Sequence, residues 1–188
     1  GGTLTTGQTL NQLFAQMGPK DVYIKGVNAL DPQGNVAVLI GNKIEGGTIG
    51  RVLAASKRQG FSVIYPVGLE KLILRPIAEV AREAIKSGYD YSMGINCGLL
   101  PCPGTVVTEI TAIRSFSGAE AVQIAAGGLG GAEGSVVLVI KGDKEQVTKA
   151  IELVEQCKGA QLPPMHTPAC ETCHHTNCDF PLTGKSWL

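Results

Sequence analysis

The chain predicts an α/β fold: a parallel-sheet βαβ core, a smaller α+β unit after it, and an irregular tail rich in Cys and His. Three observations carry this. Over residues 22–85, short apolar runs alternate with apolar residues at helical spacing. Glycine-bearing turns separate those segments. Periodicity stops at Gln161, and half of the chain's six cysteines then fall between Cys170 and Cys178. The expected organisation is an α/β ligand-binding region over 1–95, an α+β unit over 105–160 and a metal-binding tail over 161–188.

The elements follow in order. Leu10, Leu13, Phe14 and Met17 share one helical face, and Gly18-Pro19 stops that helix. Val22-Tyr23-Ile24 reads as a short strand. Asp31-Pro32-Gln33-Gly34 is a turn, since proline presets one dihedral and glycine permits another. Val36–Ile40 is an unbroken apolar run, the mark of a strand covered on both faces. Gly46-Gly47-Thr48-Ile49-Gly50 leads into a helix over Arg51–Arg58, Gly60 ends it, and Phe61–Tyr65 is the next strand. Strand, glycine turn, helix and strand make the βαβ grammar of a parallel sheet. Pro76 opens a helix whose apolar face is Ile77, Val80, Ala81, Ala84 and Ile85, with Gly88 at its end. Thr105–Ile113, Ala121–Ala126 and Ser135–Ile140 read as strands. Asp143 caps a last helix carrying Val147, Ala150, Ile151 and Val154 on one face, and Gly159 closes it.

Composition narrows the function. Lys plus Arg balances Asp plus Glu at 16 each, so no long-range field draws nucleic acid or an anionic membrane. Aromatics are 5%, too few for a base-stacking platform. No apolar run reaches the roughly 20 residues of a membrane span. No secretory leader is legible, and the abrupt Gly1-Gly2-Thr3 opening leaves open whether an upstream segment was trimmed. Clustered thiols of this kind are expected in a reducing cytoplasm.

Two helix starts carry the ligand chemistry. Thr5, Thr6, Gly7, Gln8 and Thr9 stand before the first helix, and Gly46, Gly47 and Thr48 before the second. Backbone N–H groups at helix N-termini attract anions, and glycine lets a phosphate or carboxylate approach. Simple N-capping by threonine and a tight strand-to-helix turn are the competing explanations. Lys25 and Asn28 follow a strand end and are expected to face the same crevice. They are equally a solvated charge and a turn former. Cys97 and Cys102 are too far apart for a redox CxxC pair and read best as small buried residues. Glu109 is expected to point outward from its strand. All three histidines lie in the tail, so no Ser/His/Asp arrangement is legible and no reaction is assigned.

In the tail, Cys170, Cys173 and Cys178 with His174 make a tetrahedral donor set, with His166, His175 or Cys157 as alternatives for the fourth ligand. Zinc in a structural role is the leading expectation, with ordinary thiols in a loosely packed tail and then an iron–sulfur cluster as the alternatives. Cys170-Glu171-Thr172-Cys173-His174 also matches a c-type haem attachment string, ranked last because that chemistry requires export.

Thr5–Thr9 before an apolar helix resembles the substrate loop of the sugar-phosphate isomerase/CoA-transferase-like superfamily. Residues 21–35 resemble the corresponding segment of its lactate-utilisation (LUD) domains. Gly46–Gly50, Arg51–Arg58, Phe61–Tyr65 and Lys71-Leu72-Ile73 follow in the same order. The Cys170–Cys178 tail is similar to their cysteine-rich ends. The likeness covers about residues 3–75 and implies a small anionic metabolite (phosphate, carboxylate or CoA-linked) held by Thr5–Thr9 and Gly46–Thr48 and oriented by Lys25 and Asn28. Gly130–Gly134 also resembles a segment of uncharacterised proteins of anaerobes and methanogens. The other two readings are an iron–sulfur redox accessory and a non-enzymatic homo-oligomeric scaffold built through the α+β unit.

Overall fold

A computed structural model describes residues 7–41, 44–86 and 89–160, together with Ala169, Cys170, Cys173 and Cys178. The protein is mixed α/β. It divides into one unit made of 1–67, 72–87 and 97–106, and a second made of 68–71, 88–96 and 107–188.

The first unit opens with α1 (Leu10–Gln16). Thr9 caps it: its hydroxyl accepts from the Gln12 amide, and the Gln12 side chain accepts from the Thr9 amide. Phe14 is the buried residue of α1, edge-on to Tyr23 at 6.0 Å and stacked on Phe61 at 6.3 Å. The chain then forms β1 (Val22–Ile24), β2 (Ala29–Leu30), β3 (Val36–Ile40), α2 (Gly47–Gln59), β4 (Ser62–Pro66), α3 (Ile77–Lys86), β5 (Gly98–Pro101) and β6 (Thr105–Val107). One three-stranded sheet runs β1-β4-β6, with Val22 opposite Ser62 in the parallel β1–β4 pair. A second runs β2-β3-β5 and is antiparallel throughout.

The expected β3–α2–β4 crossover is therefore corrected. β3 and β4 lie in different sheets, and the parallel pair is β1 with β4. The reason is the Asp31 turn, which folds β3 back on β2, while β5 takes its other edge. Burial on both faces of β3 comes from this central position: four of its five residues are buried. Ala29, Ala37 and Leu99 of this sheet pack on Ile77 and Ala81 of α3. Asp31, 1% exposed, pins the arrangement. It accepts hydrogen bonds from the amides of Gln33 and Asn35 and from the Asn35 side chain, and its Oδ2 accepts from the Ile77 amide at 2.9 Å. One carboxylate thus closes the hairpin turn and caps the N-terminus of α3.

The second unit contains a 3₁₀ turn (Leu69–Lys71), then α4 (Glu109–Ser117), β7 (Glu120–Ala126), β8 (Val136–Lys141) and α5 (Lys144–Cys157). The expected strand over Thr105–Ile113 is also corrected. It stops at Val107, because Thr108 and Thr111 form a reciprocal cap that starts α4. Glu109 is consequently in the first turn of a helix, where its carboxylate accepts from the Leu69 amide at 3.0 Å. β7 and β8 pair antiparallel, with a register shift between Gln123 and Ala125. Asp143 caps α5 as expected. Ile113, Ala119, Ala121 and Ala150 form the core, flanked by Ile110, Leu138 and Ile140. Among the described residues no helix is long and apolar enough to cross a membrane.

Candidate functional site

Several of the predicted ligand residues have structural roles where they are described. Thr5 and Thr6 lie outside the described residues. Gly7 takes φ +80° and is exposed with Gln8. The Thr9 hydroxyl belongs to the α1 cap. Gly46 and Gly47 take φ +71° and +60°, and Gly46 is the N-cap of α2 with no side-chain cap. A Cβ on Gly46 would meet Leu100 Cδ2 at 3.1 Å, and one on Gly50 would meet the Glu45 carbonyl oxygen at 2.3 Å. These glycines let α2 start close against its surroundings. Thr48 is exposed. The Asn28 side-chain oxygen accepts from the Leu39 amide at 3.0 Å and so extends the hairpin. Lys25 is partly buried at the end of β1, where its amide donates to Ile64.

The side chains that converge on open space instead sit along α2. Its flank toward α1 forms a groove of about 330 Å³, lined by Asn11, Phe14, Ala15, Arg51, Ala54 and Arg58. Neither Arg51 nor Arg58 has a carboxylate partner among the described residues. The flank toward β4 and β6 forms a larger groove of about 650 Å³, with Lys57 as its charged residue and Ala54, Phe61, Val63 and Pro103 among its apolar ones. Ala54 lines both grooves. Gly104 also lines the larger one, and it must be glycine: a Cβ there would stand 2.7 Å from the Tyr65 ring and from the Val63 carbonyl oxygen. Arg51 and Arg58 are two helical turns apart, about 10.5 Å along the axis. Both line the same groove, and each guanidinium is a planar fork of donors suited to carboxylate or phosphate.

No family model, curated protein or solved structure matches the chain. The site is therefore defined by its own chemistry.

On β4, Tyr65 is fully buried, and its hydroxyl hydrogen-bonds no nitrogen or oxygen among the described residues. It faces the Cys102 thiol, itself 6% exposed and donating to the Leu100 carbonyl at 3.2 Å. Burial pushes the Tyr65 phenol well above its ordinary range, and the nearby Cys102 and Tyr23 add to that. Burial likewise raises Cys102; the Tyr65 contact, the Val38 backbone and the Lys25 charge only partly offset it. Cys102 is thus a protonated packing residue and no nucleophile at neutral pH. Lys25, expected to orient a ligand, acts electrostatically on this thiol.

In the tail, Cys170 is exposed, and Cys173 and Cys178 are partly buried. The Cys173 amide donates to the Cys170 carbonyl at 3.3 Å, and Cys178 Sγ accepts from the Gly94 amide at 3.2 Å. Among the described residues no three His, Cys, Asp or Glu side chains group to hold a metal. His166, His174 and His175 lie outside the described residues, and Cys157 is exposed at the end of α5.

Proposed function

We propose that the protein binds an elongated anionic metabolite, carrying phosphate or carboxylate groups, along α2. The observation that supports this is the pair Arg51 and Arg58, without carboxylate partners among the described residues, on a groove floored by Phe14, Ala15 and Ala54. Lys57 borders the adjoining groove, so a ligand with an apolar body between charged ends, such as a CoA-linked acid, matches both flanks. This keeps the ligand class expected from the resemblance to the sugar-phosphate isomerase/CoA-transferase-like superfamily and moves the binding groups from the glycine–threonine turns to the helix they start. The test is thermal denaturation with sugar phosphates, organic acids and CoA esters, on the native protein and on the Arg51→Ala/Arg58→Ala variant. Saturation at about 100 times Kd is expected to stabilise the native protein by roughly 2.7 kcal/mol, with most of that lost in the variant. No stabilisation by any of the three classes, or equal stabilisation of the variant, would refute it.

A second site is proposed in the tail, independent of the first. Cys170, Cys173 and Cys178 hold a structural zinc with His174, or with His166, His175 or Cys157 in its place, in a cytoplasmic protein. The supporting observation is the Gly94 N–H donated to Cys178 Sγ, the kind of hydrogen bond that steadies a metal-bound thiolate. Elemental analysis of protein purified without air or chelator is expected to find about one zinc per chain. Brown, iron-containing protein would replace zinc by the iron–sulfur alternative, and metal-free protein would remove the site.

A further inference from the structure

Among the described residues, the two outer strand edges of the second unit differ. β7 carries a register shift between Gln123 and Ala125. Such irregularities discourage pairing with another chain. β8 has no such guard: Val136-Val137-Leu138-Val139-Ile140 is apolar, with no charge or proline before Lys141. β7 occupies one side of β8, and no described strand occupies the other. Beside β8 lies an apolar groove of about 320 Å³, lined by Leu138, Ile140, Ile151 and Val154 and bordered by Glu155 and Lys158. Ile151 is 50% exposed and Val154 46%, although both sit on the apolar face of α5.

We propose that this groove and the β8 edge are a two-fold interface between two copies of the chain. β8 pairs antiparallel with the partner's β8, making one sheet ordered β7-β8-β8-β7, and the two α5 helices meet over the seam. The strand is self-complementary in one register. Centred on Leu138, Val136 faces the partner's Ile140, Val137 faces the partner's Val139, and Leu138 faces itself. A shift by one residue turns the helices of the two copies to opposite faces, and a shift by two sets an apolar residue against Lys141 or Ser135. The rim is self-complementary as well: an acid and a base one turn apart at the end of α5 place Glu155 near the partner's Lys158, twice, by symmetry. That match selects a second copy over a strand from an unrelated protein.

The test is sedimentation velocity on the full chain across a concentration series. A monomer–dimer equilibrium is expected. Glu155→Lys and Lys158→Glu, at exposed positions in the last turn and at the C-cap of α5, should each weaken the dimer by about tenfold or more, because each sets like charges across the seam. Mixing the two variants in equal amounts restores both opposite-charge pairs and should recover native affinity. Val137→Lys/Val139→Lys, on the outer face of β8, sets lysine opposite lysine in the proposed register and should give a monomer with an unchanged circular dichroism spectrum. A monomer at every concentration, or a dimer that none of these variants weakens, would overturn the proposal.

Discussion

Tyr65 illustrates how one buried polar atom sets a residue's worth. Its ring fills the core of the first unit, and its hydroxyl, with no nitrogen or oxygen partner among the described residues, lies near the Cys102 thiol. Removing an unsatisfied buried hydroxyl while keeping the ring is close to neutral or favourable. Tyr65→Phe is therefore expected to match the native protein or exceed it by up to about 1 kcal/mol in a denaturant melt, where burial without polar mismatch would cost stability. Asp31 is the opposite case. Burial alone would raise its pKa, but the hydrogen bonds from the Ile77 backbone, the Asn35 side chain and the Asn35 and Gln33 backbones outweigh that and lower it. The folded carboxyl thus holds its proton less tightly than the unfolded one. Its stabilisation is complete above the unfolded value of about 3.9 and is lost as pH falls through the lowered folded value. Asp31→Asn should weaken the protein at neutral pH by about 2–3 kcal/mol and flatten the acid limb of its stability profile. An acid limb identical in the variant would assign that sensitivity to other carboxylates. The Asp31 turn was readable from Asp-Pro-Gln-Gly. Its bond to Ile77, 46 residues away, was not, because a cap supplied across the chain leaves no local pattern.

Helices and strands were legible where a local signal and the tertiary environment agreed. Val22–Ile24, Val36–Ile40 and the Asp143-capped α5 stand where the sequence places them. Thr105–Ile113 failed because threonines on an alternating segment look like strand residues, while Thr108 and Thr111 satisfy each other as a helix cap. The two-residue β2 has too little sequence to announce itself, and it redirected β3 into an antiparallel sheet. Gly50 offers a test at this scale. Glycine to alanine inside a helix ordinarily gains about 1 kcal/mol. Here the new methyl would stand 2.3 Å from the Glu45 carbonyl oxygen. Gly50→Ala is expected to destabilise by about 1–3 kcal/mol in thermal melts, since the start of α2 must shift to admit it. A stabilised variant would mean that the turn before α2 yields easily.

At the scale of the molecule, the second unit is not a simple C-terminal piece. Its segments 68–71 and 88–96 precede 97–106, which belongs to the first unit. They supply the Leu69 amide bound by Glu109 and the Gly94 amide bound by Cys178. A fragment of residues 107–188 leaves both acceptors without those donors. It is expected to melt below the second unit of the full chain, or without a cooperative transition, by circular dichroism. Equal stability would show that those segments contribute little. The candidate ligand site was half legible for the same long-range reason. Among the described residues of the glycine- and threonine-rich turns, Thr9 serves a helix cap, and Gly46 and Gly50 allow close packing at the start of α2. In the sequence Arg51 and Arg58 only bound a predicted helix, and the groove they line with α1 is a tertiary feature.

The two sheets of the first unit also set the order in which it can be made. β3 waits for β5 at Gly98–Pro101, and β4 for β6 at Thr105–Val107. A nascent chain that has not reached Gly98 therefore holds two unfinished sheets, and one past Pro101 but short of Val107 still lacks β6. Long-range closure of this kind is slow compared with helix formation, and unpaired edges are aggregation-prone while they wait. Ribosome pausing before that point would prolong the exposure, whereas pausing after it would leave the first unit free to close before the second is complete.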